Sequence, residues 1–525
     1  MRIFRALQAK LDLSKIQGDL FSRGFPKFNE TYYFFSIKKP GDFSKALRKL
    51  ARDGKSISTL QAVIGQWEEV DKLRGAKGRD LTKDDKVIKL SNALIGFSSA
   101  GLKEIRRGNA RLLGIGEENS DKDSILTSDP AFYRGMKRDG PMNLSDPPTT
   151  NWDRLFQQEI HGVLKVAGSD ETQVEDRLDQ IKGVLGYGTG VIADIVGDSA
   201  PTKAISRVDG ASKPHEGLAW GHEHFGYRDG ISQPLMKGID LPEAIEANPF
   251  MDTPQDTIIV KYDNTPQPGN MSRDWGNPSQ RPQWMENGSF LVFRKLEQHV
   301  GRFQALLKQK YSTVKCSGES ELAAKLMGRW PEGTPIADGQ LRTADSVPTA
   351  QLLRENNFKQ MPADSKQVCP TGAHIRKMNP RSVNSRDQSA VTEARILRKG
   401  IPYGTPYTGA GDNPDVHRGL LFACYQSSIG RGFWRIQSEW ANEPRFPLAR
   451  TNPQGPGLDP FIGQSEETAL GMPYSEEDEM KLFLNDTDKQ THPRLGPFGP
   501  LVTMRGGEYF FVPSIDALAD TLGSP

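Results

Sequence analysis

The sequence predicts an α+β fold made of two similar lobes. Strand–helix–strand units recur in both halves of the 525-residue chain, and a stretch near residues 230–250 separates them. The apolar share, 36% plus the contribution of 52 glycines, is ordinary for a globular protein, so the chain has material for a sizeable core. We therefore expect one lobe over residues 1–240 and a second over residues 241–525.

In the first half, short apolar runs alternate with helical patterns. Buried strands are predicted at Thr31–Ile37, Ala93–Phe97 and Ile160–Ala167. Apolar residues at helical spacing predict helices at Asp42–Leu50, Leu60–Arg74, 101–107 and Glu171–Leu185. Residues 107–150 are rich in Gly, Asp, Pro and Ser, which predicts a long loop, and the glycines of GYGTG at 186–190 predict a turn.

The second half repeats this alternation. Strands are predicted at Thr257–Tyr262, Gly288–Phe293, Gly419–Tyr425 and Glu508–Val512. A helix is predicted at Leu296–Gln309, directly after the second of these strands. The pattern is thus that of a second sheet covered by helices, although no residue-level repeat between the halves is visible.

Charge and cysteine content exclude several classes of protein. The 68 basic and 66 acidic residues leave a net charge of +2, which gives no general attraction to nucleic acid or to an anionic membrane. The basic segments Arg48–Arg52 and Arg376–Arg381 are expected to be solvated faces or anion contacts. Cys316, Cys369 and Cys424 provide no disulfide framework and are typical of small buried thiols. We expect a protein without nucleic-acid or membrane partners, whose oligomeric state the sequence does not determine.

The N-terminal segment gives no sign of a leader. The first ten residues, MRIFRALQAK, are followed by no apolar run of about 7–15 residues and no small-residue cleavage site. We therefore expect a cytoplasmic protein. A chain numbered after removal of a leader would look the same, so export stays open.

Histidines near the middle of the chain suggest a first candidate site. His222 and His224 flank Glu223, and Asp229 follows shortly afterwards. Because residues two apart on a strand share a face, these side chains could form a non-haem metal site. Histidines at the surface, or satisfied by hydrogen bonds, explain the same pattern.

Five segments, each weak alone, occur in order along the chain. They are FGYRDGISQP at 225–234, GSFLVFRKL at 288–296, CPTGAHIRKMNP at 369–380, ARILRKGIPYG at 394–404 and GLLFACYQ at 419–426. Together they resemble the dye-decolorizing peroxidase family, over roughly residues 93–512, and the extended loops are most similar to its longer members. The resemblance implies two ferredoxin-like lobes, each an antiparallel sheet with outer helices, holding one haem b per chain between them.

The resemblance also implies roles for individual residues. His374, in AHIR, matches the proximal iron ligand, and Asp459, in GLDPFIG, matches the carboxylate behind that ligand. Asp229, in GYRDG, matches the distal acid–base residue, and Arg398, in ILRKGIPY, matches the distal arginine. The remaining haem contacts that it implies are an aromatic residue on the distal side and two neighbours of the aspartate, namely Phe422, Gly230 and Ile231. Gly400 stands where some members carry a distal asparagine, which leaves fewer hydrogen-bond donors.

These residue types suit peroxidase chemistry. A neutral imidazole that binds iron through one nitrogen has its other N–H free to donate to a carboxylate, which raises ligand basicity. Asp229 could move a proton between the two oxygens of peroxide, and Arg398 could stabilise charge on the leaving oxygen. The expected substrates are hydrogen peroxide and dyes, phenolic or other aromatic compounds oxidised in one-electron steps. Because a free aspartate titrates near ~3.9, we expect an acidic optimum.

Three alternatives stay open at this point. A haem-binding or iron-releasing protein would carry nearly the same residues without turnover. A non-haem metal enzyme would use His222, His224 and Asp229. A cysteine-ligated haem would use Cys369 or Cys424. The sequence also does not select which Trp or Tyr would relay electrons from a dye too large to reach the haem.

Overall fold

The computed structural model describes most of the chain, with gaps. The described residues are 11–77, 89–109, 128–195, 206–211, 221–262, 281–314, 316–336, 356, 369–380, 385–409, 416–447, 455–465 and 498–524. In these residues an antiparallel sheet is surrounded by helices, which confirms the predicted α+β class.

One sheet contains all the described strands. They are β1 Asn29–Ile37, β2 Ser91–Phe97, β3 Gly162–Gly168, β4 Ile192–Asp194, β5 Arg207–Ala211, β6 Ser289–Gln298, β7 Leu397–Arg398, β8 Ile401–Tyr403, β9 Gly419–Gln426 and β10 Val502–Val512. Their order in the sheet is β4–β1–β3–β2–β10–β6–β9–β7, with β5 on β1 and β8 on β9. All of these pairs are antiparallel.

Helices cover the sheet and fill the connections. The α-helices are Pro40–Arg52, Leu60–Lys77, Ser99–Arg107, Pro130–Arg134, Met136–Asn143, Arg154–Gln157, Glu171–Val184, Pro242–Ala247, Val300–Lys310, Glu319–Met327, His374–Met378 and Ser385–Glu393. Wider π-helical turns lie at Gly430–Trp434, Ile436–Ala441 and Ala517–Leu522. Single 3-10 turns lie at Thr149–Asn151, Pro249–Met251, Gln255–Thr257 and Gln283–Met285. No helix in the described ranges is long and apolar enough to span a bilayer.

Strands β1, β2 and β3 of the N-terminal half are buried along almost their whole length. Strand β3 is buried along its whole length, as expected from its nearly continuous apolar sequence. Its one charged residue, Lys165, is fully buried and donates from Nζ to Asp19 Oδ2 at 2.6 Å. Such a charge is tolerated in the core only because it is paired.

Strand β10 joins the two halves of the sheet. It pairs with β6 from Val502 to Val512, interrupted by a bulge between Met504 and Gly507. On its other side Phe511 is the register partner of Phe97 in β2. The last described strand in the chain therefore lies near the centre of the sheet. The boundary proposed at residue 240 stays a prediction.

Two predicted elements in the second half of the chain differ from the structure. Thr257–Tyr262 is no strand, because the chain turns at Gln255–Thr257 and the apolar residues that follow fill the core instead of joining a ladder. The helix predicted at Leu296–Gln309 begins only at Val300, since β6 continues to Gln298 between β9 and β10.

The predicted loop 107–150 is partly helical. Helices Pro130–Arg134 and Met136–Asn143 lie in it, joined at Gly135, whose φ is +72°. Pro130 opens the first helix at a position where a missing N–H costs nothing. Residues 110–127 of this segment lie outside the described residues. The predicted turn at 186–190 is confirmed, with positive φ at Gly186, Gly188 and Gly190.

Candidate active site

His374 and Asp459 form a hydrogen-bonded pair. His374 is the first residue of its helix, and its Nδ1 lies 2.9 Å from Asp459 Oδ2. Asp459 is fully buried, and its Oδ1 accepts from the backbone N–H of Phe461 at 3.0 Å and of Ile462 at 2.8 Å. Burial alone would raise the pKa of Asp459, but His374 and these two N–H groups outweigh it and lower the pKa below its usual value. The carboxylate is therefore a fixed acceptor for the imidazole.

The imidazole is also packed from the side. The Phe461 ring meets the His374 ring edge-on, with centroids 5.7 Å apart and an angle of 82° between the planes. Since Nδ1 is turned towards Asp459, Nε2 is the ring nitrogen left to bind a ligand. His374 lines an apolar cavity in the described part of the protein.

Lys377 fastens the helix that carries His374. Its fully buried ammonium donates to the carbonyls of Glu443, Phe446 and Gly457 at 2.7, 2.8 and 2.6 Å. Burial lowers the pKa of Lys377 to about 7, although three carbonyls are a setting that favours the charged form. The expectation that 376–381 is a solvated basic face was therefore wrong for its described part, since Arg376 is buried as well.

Asp229 is presented by a tight loop. Gly226 and Gly230 have φ of +92° and +81°, in the region that glycine adopts at no steric cost. The Asp229 N–H donates to Gly221 O at 3.0 Å, and the Gly230 N–H donates to Asp229 Oδ1 at 2.6 Å. The Asp229 side chain is 31% exposed, so it is open to a small molecule.

Arg398 lies beside this carboxylate. Its Nη1 is 3.6 Å from Asp229 Oδ1, and its Nη2 donates to Ser232 O at 3.1 Å. The backbone of Arg398 is held by the side chain of Gln233, which donates to Arg398 O at 2.8 Å and accepts from Arg398 N at 3.1 Å. Gln233 thus fixes the aspartate loop to strand β7, and our sequence analysis did not select it.

Glu223 is a second residue that our sequence analysis left in the background. It is 8% exposed, and its carboxylate accepts from the N–H groups of Phe225 and Tyr227, both at 2.9 Å. The Gln298 amide donates to the same carboxylate. Burial raises the pKa of Glu223 to about 7. Glu223 therefore closes the loop that presents Asp229, and it lines the cavity as well.

The cavity lies on one face of the C-terminal part of the sheet. Its wall includes Arg294, Leu296 and Gln298 of β6, and Leu420 and Phe422 of β9. These residues share a face because Arg294 pairs with Phe422 and Leu296 with Leu420 in the ladder. The space free of protein atoms is about 1760 Å³, part of it open to solvent.

The structure brings together most of the predicted site residues. His374, Asp229, Gly230, Ile231, Arg398 and Phe422 all line the cavity. Asp459 stands behind His374 and does not line it. All described lining residues lie at position 223 or later, so the sheet strands β1–β5 contribute none of them.

A second cavity opens on the other side of Asp229 and Arg398. Its wall is rich in basic side chains and carries a tryptophan; it includes Arg23, Lys27, Trp67, Arg228 and Lys399. Gly400 also lines it, where an added Cβ would lie 3.3 Å from Leu420 Cδ1. A larger residue at this position would therefore press on the wall that the two cavities share.

The alternative metal ligands do not converge. Among the described residues no group of three or more His, Cys, Asp or Glu side chains is arranged to hold a metal ion. His224 is buried, and its Nε2 lies 2.8 Å from Tyr403 O. Burial raises the pKa of the Cys424 thiol, which disfavours a thiolate ligand, and neither Cys369 nor Cys424 lines the apolar cavity that contains His374.

Comparison with known proteins shows which family the chain is similar to. Residues 15–201 match the DyP dimeric alpha+beta barrel domain, and residues 263–446 match the C-terminal domain of Dyp-type peroxidases. Peroxidase 2 of Mycetinis scorodonius is 31% identical over 98% of this chain and 89% of its own length. A dye-decolorizing peroxidase of Mycena epipterygia is 32% identical over 98% of this chain and 87% of its own. A solved structure of a mutant dye-decolorizing peroxidase from Pleurotus ostreatus is 30% identical, with a TM-score of 0.76 over 98% of this chain and 100% of that one.

Proposed function

Because the chain belongs to the dye-decolorizing peroxidase family, whose members are haem peroxidases, we propose that the apolar cavity lined by His374 holds one haem b per chain, with His374 as the iron ligand. One observation carries this proposal. An imidazole backed by a buried carboxylate and an aspartate–arginine pair line the same cavity.

The residues of the cavity suit this cofactor. Asp459 holds Nδ1 of His374, so that Nε2 would bind the iron. Apolar side chains such as Leu420 and Phe422 would cover the flat faces of the macrocycle, as expected for a cofactor site. Arg395 is 5% exposed and lines the cavity, so its guanidinium would supply positive charge for the carboxylates that haem b carries.

Asp229 would move the proton that peroxide reduction requires. When bound, haem supplies an iron with an open coordination position for peroxide. Asp229 would accept a proton from one peroxide oxygen and return it to the other, which leaves as water. The bond from Gly230 N–H fixes one carboxylate oxygen in the loop, so the base is held in place before peroxide arrives.

Arg398 would stabilise the negative charge that develops as the O–O bond breaks. A guanidinium is charged at every accessible pH, and its position is fixed by Ser232 O and by Gln233. Its Nη1 lies 3.6 Å from Asp229 Oδ1, so the two groups are close enough to contact the same small molecule.

The second cavity would admit peroxide and a small aromatic reductant. It shares Asp229 and Arg398 with the haem cavity, so it leads to the reacting groups from the solvent side. The reductant would give up two electrons in separate one-electron steps.

The test of the iron ligand uses two matched histidines. In the His374→Ala protein reconstituted with haem, we expect the Soret band to be lost or strongly altered. His417→Ala is the control, because its Nδ1 also pairs with a carboxylate, Glu297 Oε1 at 2.8 Å, away from the haem cavity. Equal spectra for wild type and His374→Ala would overturn the assignment.

The test of the distal pair uses haem-loaded protein and stopped-flow mixing with peroxide. Asp229→Asn should keep its haem spectrum yet react with peroxide more slowly by about 10²–10⁴-fold, the usual contribution of a positioned base. Sustained dye oxidation by the wild type separates a peroxidase from a haem carrier. An Asp229→Asn rate equal to that of the wild type would remove this residue from the mechanism.

A further inference from the structure

Four tyrosines of the described chain donate their hydroxyl groups to carboxylates, and one of these lies against the haem cavity. Tyr33 and Tyr187 donate to Asp194, and Tyr425, in β9, donates to Asp19. Tyr509 instead donates to Asp139 Oδ2 at 2.9 Å.

The sheet register places Tyr509 on the cavity face. Tyr509 in β10 is the partner of Val292 in β6, and Val292 is two residues from Arg294, which lines the cavity. Since residues two apart on a strand share a face, the Tyr509 side chain lies on the same face as Arg294. Tyr425 pairs with Leu291, so it lies on the opposite face.

Aromatic rings connect Tyr509 to the cavity wall. The Tyr509 ring lies 6.5 Å from the Phe433 ring, and Phe433 lies 6.3 Å from Phe422, centroid to centroid. Both phenylalanines line the cavity, so Tyr509 lies one ring contact away from the cavity lining. Tyr509 itself is fully buried and does not line the cavity.

The partner of Tyr509 is a proton acceptor held in place. Asp139 is fully buried, and its Oδ1 accepts from Arg134 Nε at 2.8 Å and from Asn143 Nδ2 at 2.7 Å. Its Oδ2 is thereby directed at the tyrosine hydroxyl. Burial raises the pKa of Tyr509 well above its usual value, so the ground state is the neutral phenol and its oxidation must release a proton.

We propose that Tyr509 is a buried redox residue that stores one of the two oxidising equivalents supplied by peroxide. This inference rests on the proposed haem peroxidase function. Tyr509 gives one electron to the peroxide-oxidised haem centre, and its phenolic proton passes along the existing hydrogen bond to Asp139. The products are a neutral tyrosyl radical, a protonated Asp139 and a centre reduced by one electron, so charge and atoms balance. A reductant later returns one electron, and the proton moves back.

The burial of Tyr509 protects the stored oxidising equivalent. A radical at 0% exposure is shielded from dimerisation and from solvent, unlike one on the exposed Tyr187. Tyr509 thus stores an oxidising equivalent without contacting the substrate.

The experiment is rapid-freeze electron paramagnetic resonance of haem-loaded protein mixed with one equivalent of peroxide. Wild type should give a tyrosyl signal whose hyperfine structure narrows when ring-deuterated tyrosine is incorporated. Tyr509→Phe should lose that signal. Tyr425→Phe should keep it, although this matched variant also removes a buried tyrosine–carboxylate bond. Asp139→Asn, which keeps the phenol but removes the acceptor, should lose it too.

The absorption spectrum recorded on the same samples separates the two proposals. If the Soret band responds to peroxide but the tyrosyl signal is absent, persists in Tyr509→Phe, or disappears equally in Tyr425→Phe, the redox role of Tyr509 is wrong and the peroxidase proposal stands. If the wild type binds no haem or its Soret band does not respond, both proposals fail.

Discussion

At the scale of single residues, the pair of His374 and Asp459 shows how one buried carboxylate can orient an imidazole. Asp459 is fully buried, yet its low pKa keeps it ionised because His374 and two backbone N–H groups surround it. If His374 binds iron as proposed, the negative charge behind the imidazole would raise the electron density that the ring offers to the metal. The charge matters more than the shape of the side chain.

Replacing this charge tests that argument. Asp459→Asn should keep the fold but lower haem affinity or peroxidase activity by about 10–100-fold, the usual effect of losing such a partner. The reduction potential of the iron, measured by spectroelectrochemistry, should rise. Asp240→Asn is the matched control, since Asp240 is also buried and accepts from two backbone N–H groups, those of Ser22 and Met236. An unchanged potential in Asp459→Asn would contradict the account.

Glu223 makes a prediction about pH. Its pKa in the folded protein is about 7, above the ordinary value of 4.5, so the native state holds a proton that the unfolded state has released. Stability contributed by this group is therefore complete below about pH 4.5 and is lost as pH rises towards 7.

Comparison with Glu223→Gln isolates this effect. The variant lacks the titration, so the wild type should lose stability relative to it between about pH 4.5 and 7, by at most about 3 kcal/mol. Thermal or chemical unfolding of both proteins at several pH values measures the difference. A difference that stays constant across this range would show that Glu223 does not titrate there.

The motif residues could be predicted from sequence, whereas their supports could not. Asp229 and His374 lie in short segments whose spacing is local. The Glu223 carboxylate accepts a hydrogen bond from Gln298, 75 positions away along the chain. The Gln233 amide donates to the backbone of Arg398, 165 positions away. No local pattern signals such a contact, since a buried Glu and an exposed one have the same letter.

At the scale of elements, the helix His374–Met378 is short and depends on its anchor. A helix of five residues is too short to be stable alone, so the three carbonyls around Lys377 hold it in place. The sequence analysis took this lysine for a solvated charge, because charged residues are usually exposed.

Removing the Lys377 ammonium should destabilise the helix that carries His374. Lys377→Met leaves buried carbonyls without their donor, and we expect a loss of about 3–5 kcal/mol in the free energy of unfolding. Denaturant titration measures it, and Lys308→Met, at an exposed position of another helix, should be nearly neutral. Equal stability of the two variants would mean that Lys377 is no anchor.

The elements that the sequence mispredicted share one cause. Thr257–Tyr262 has the composition of a strand and β6 runs beyond its apolar segment, because partners in distant strands decide both outcomes. Long apolar runs such as β1 and β9 were predicted well, because most of their residues are buried, which leaves few alternatives to a strand.

At the scale of the whole molecule, the fold class followed from alternating patterns, but the sheet order did not. The sequence places Val502–Val512 after all other strands, and only the structure shows it between β2 and β6. Without β10, both neighbours would expose an unpaired edge.

A pair of truncated chains tests this arrangement. A chain ending at residue 500 lacks β10 and should aggregate and fail to bind haem, because two central edges are open. A chain ending at residue 513 keeps the strand and should remain better dispersed. Light scattering and haem titration compare them, and equal behaviour would show that β10 does not hold the halves together.

Because β10 is central in the sheet but late in the chain, the cavity wall is completed only late in biosynthesis. Synthesis of residues 1–512 takes roughly 25–100 s, at about 5–20 residues per second. Until then β2 and β6 have no partner between them, and the wall on which Arg294, Phe422 and Tyr509 meet is incomplete. Haem would thus be captured only once this strand has emerged from the ribosome, so a nascent chain stalled before it carries no reactive iron.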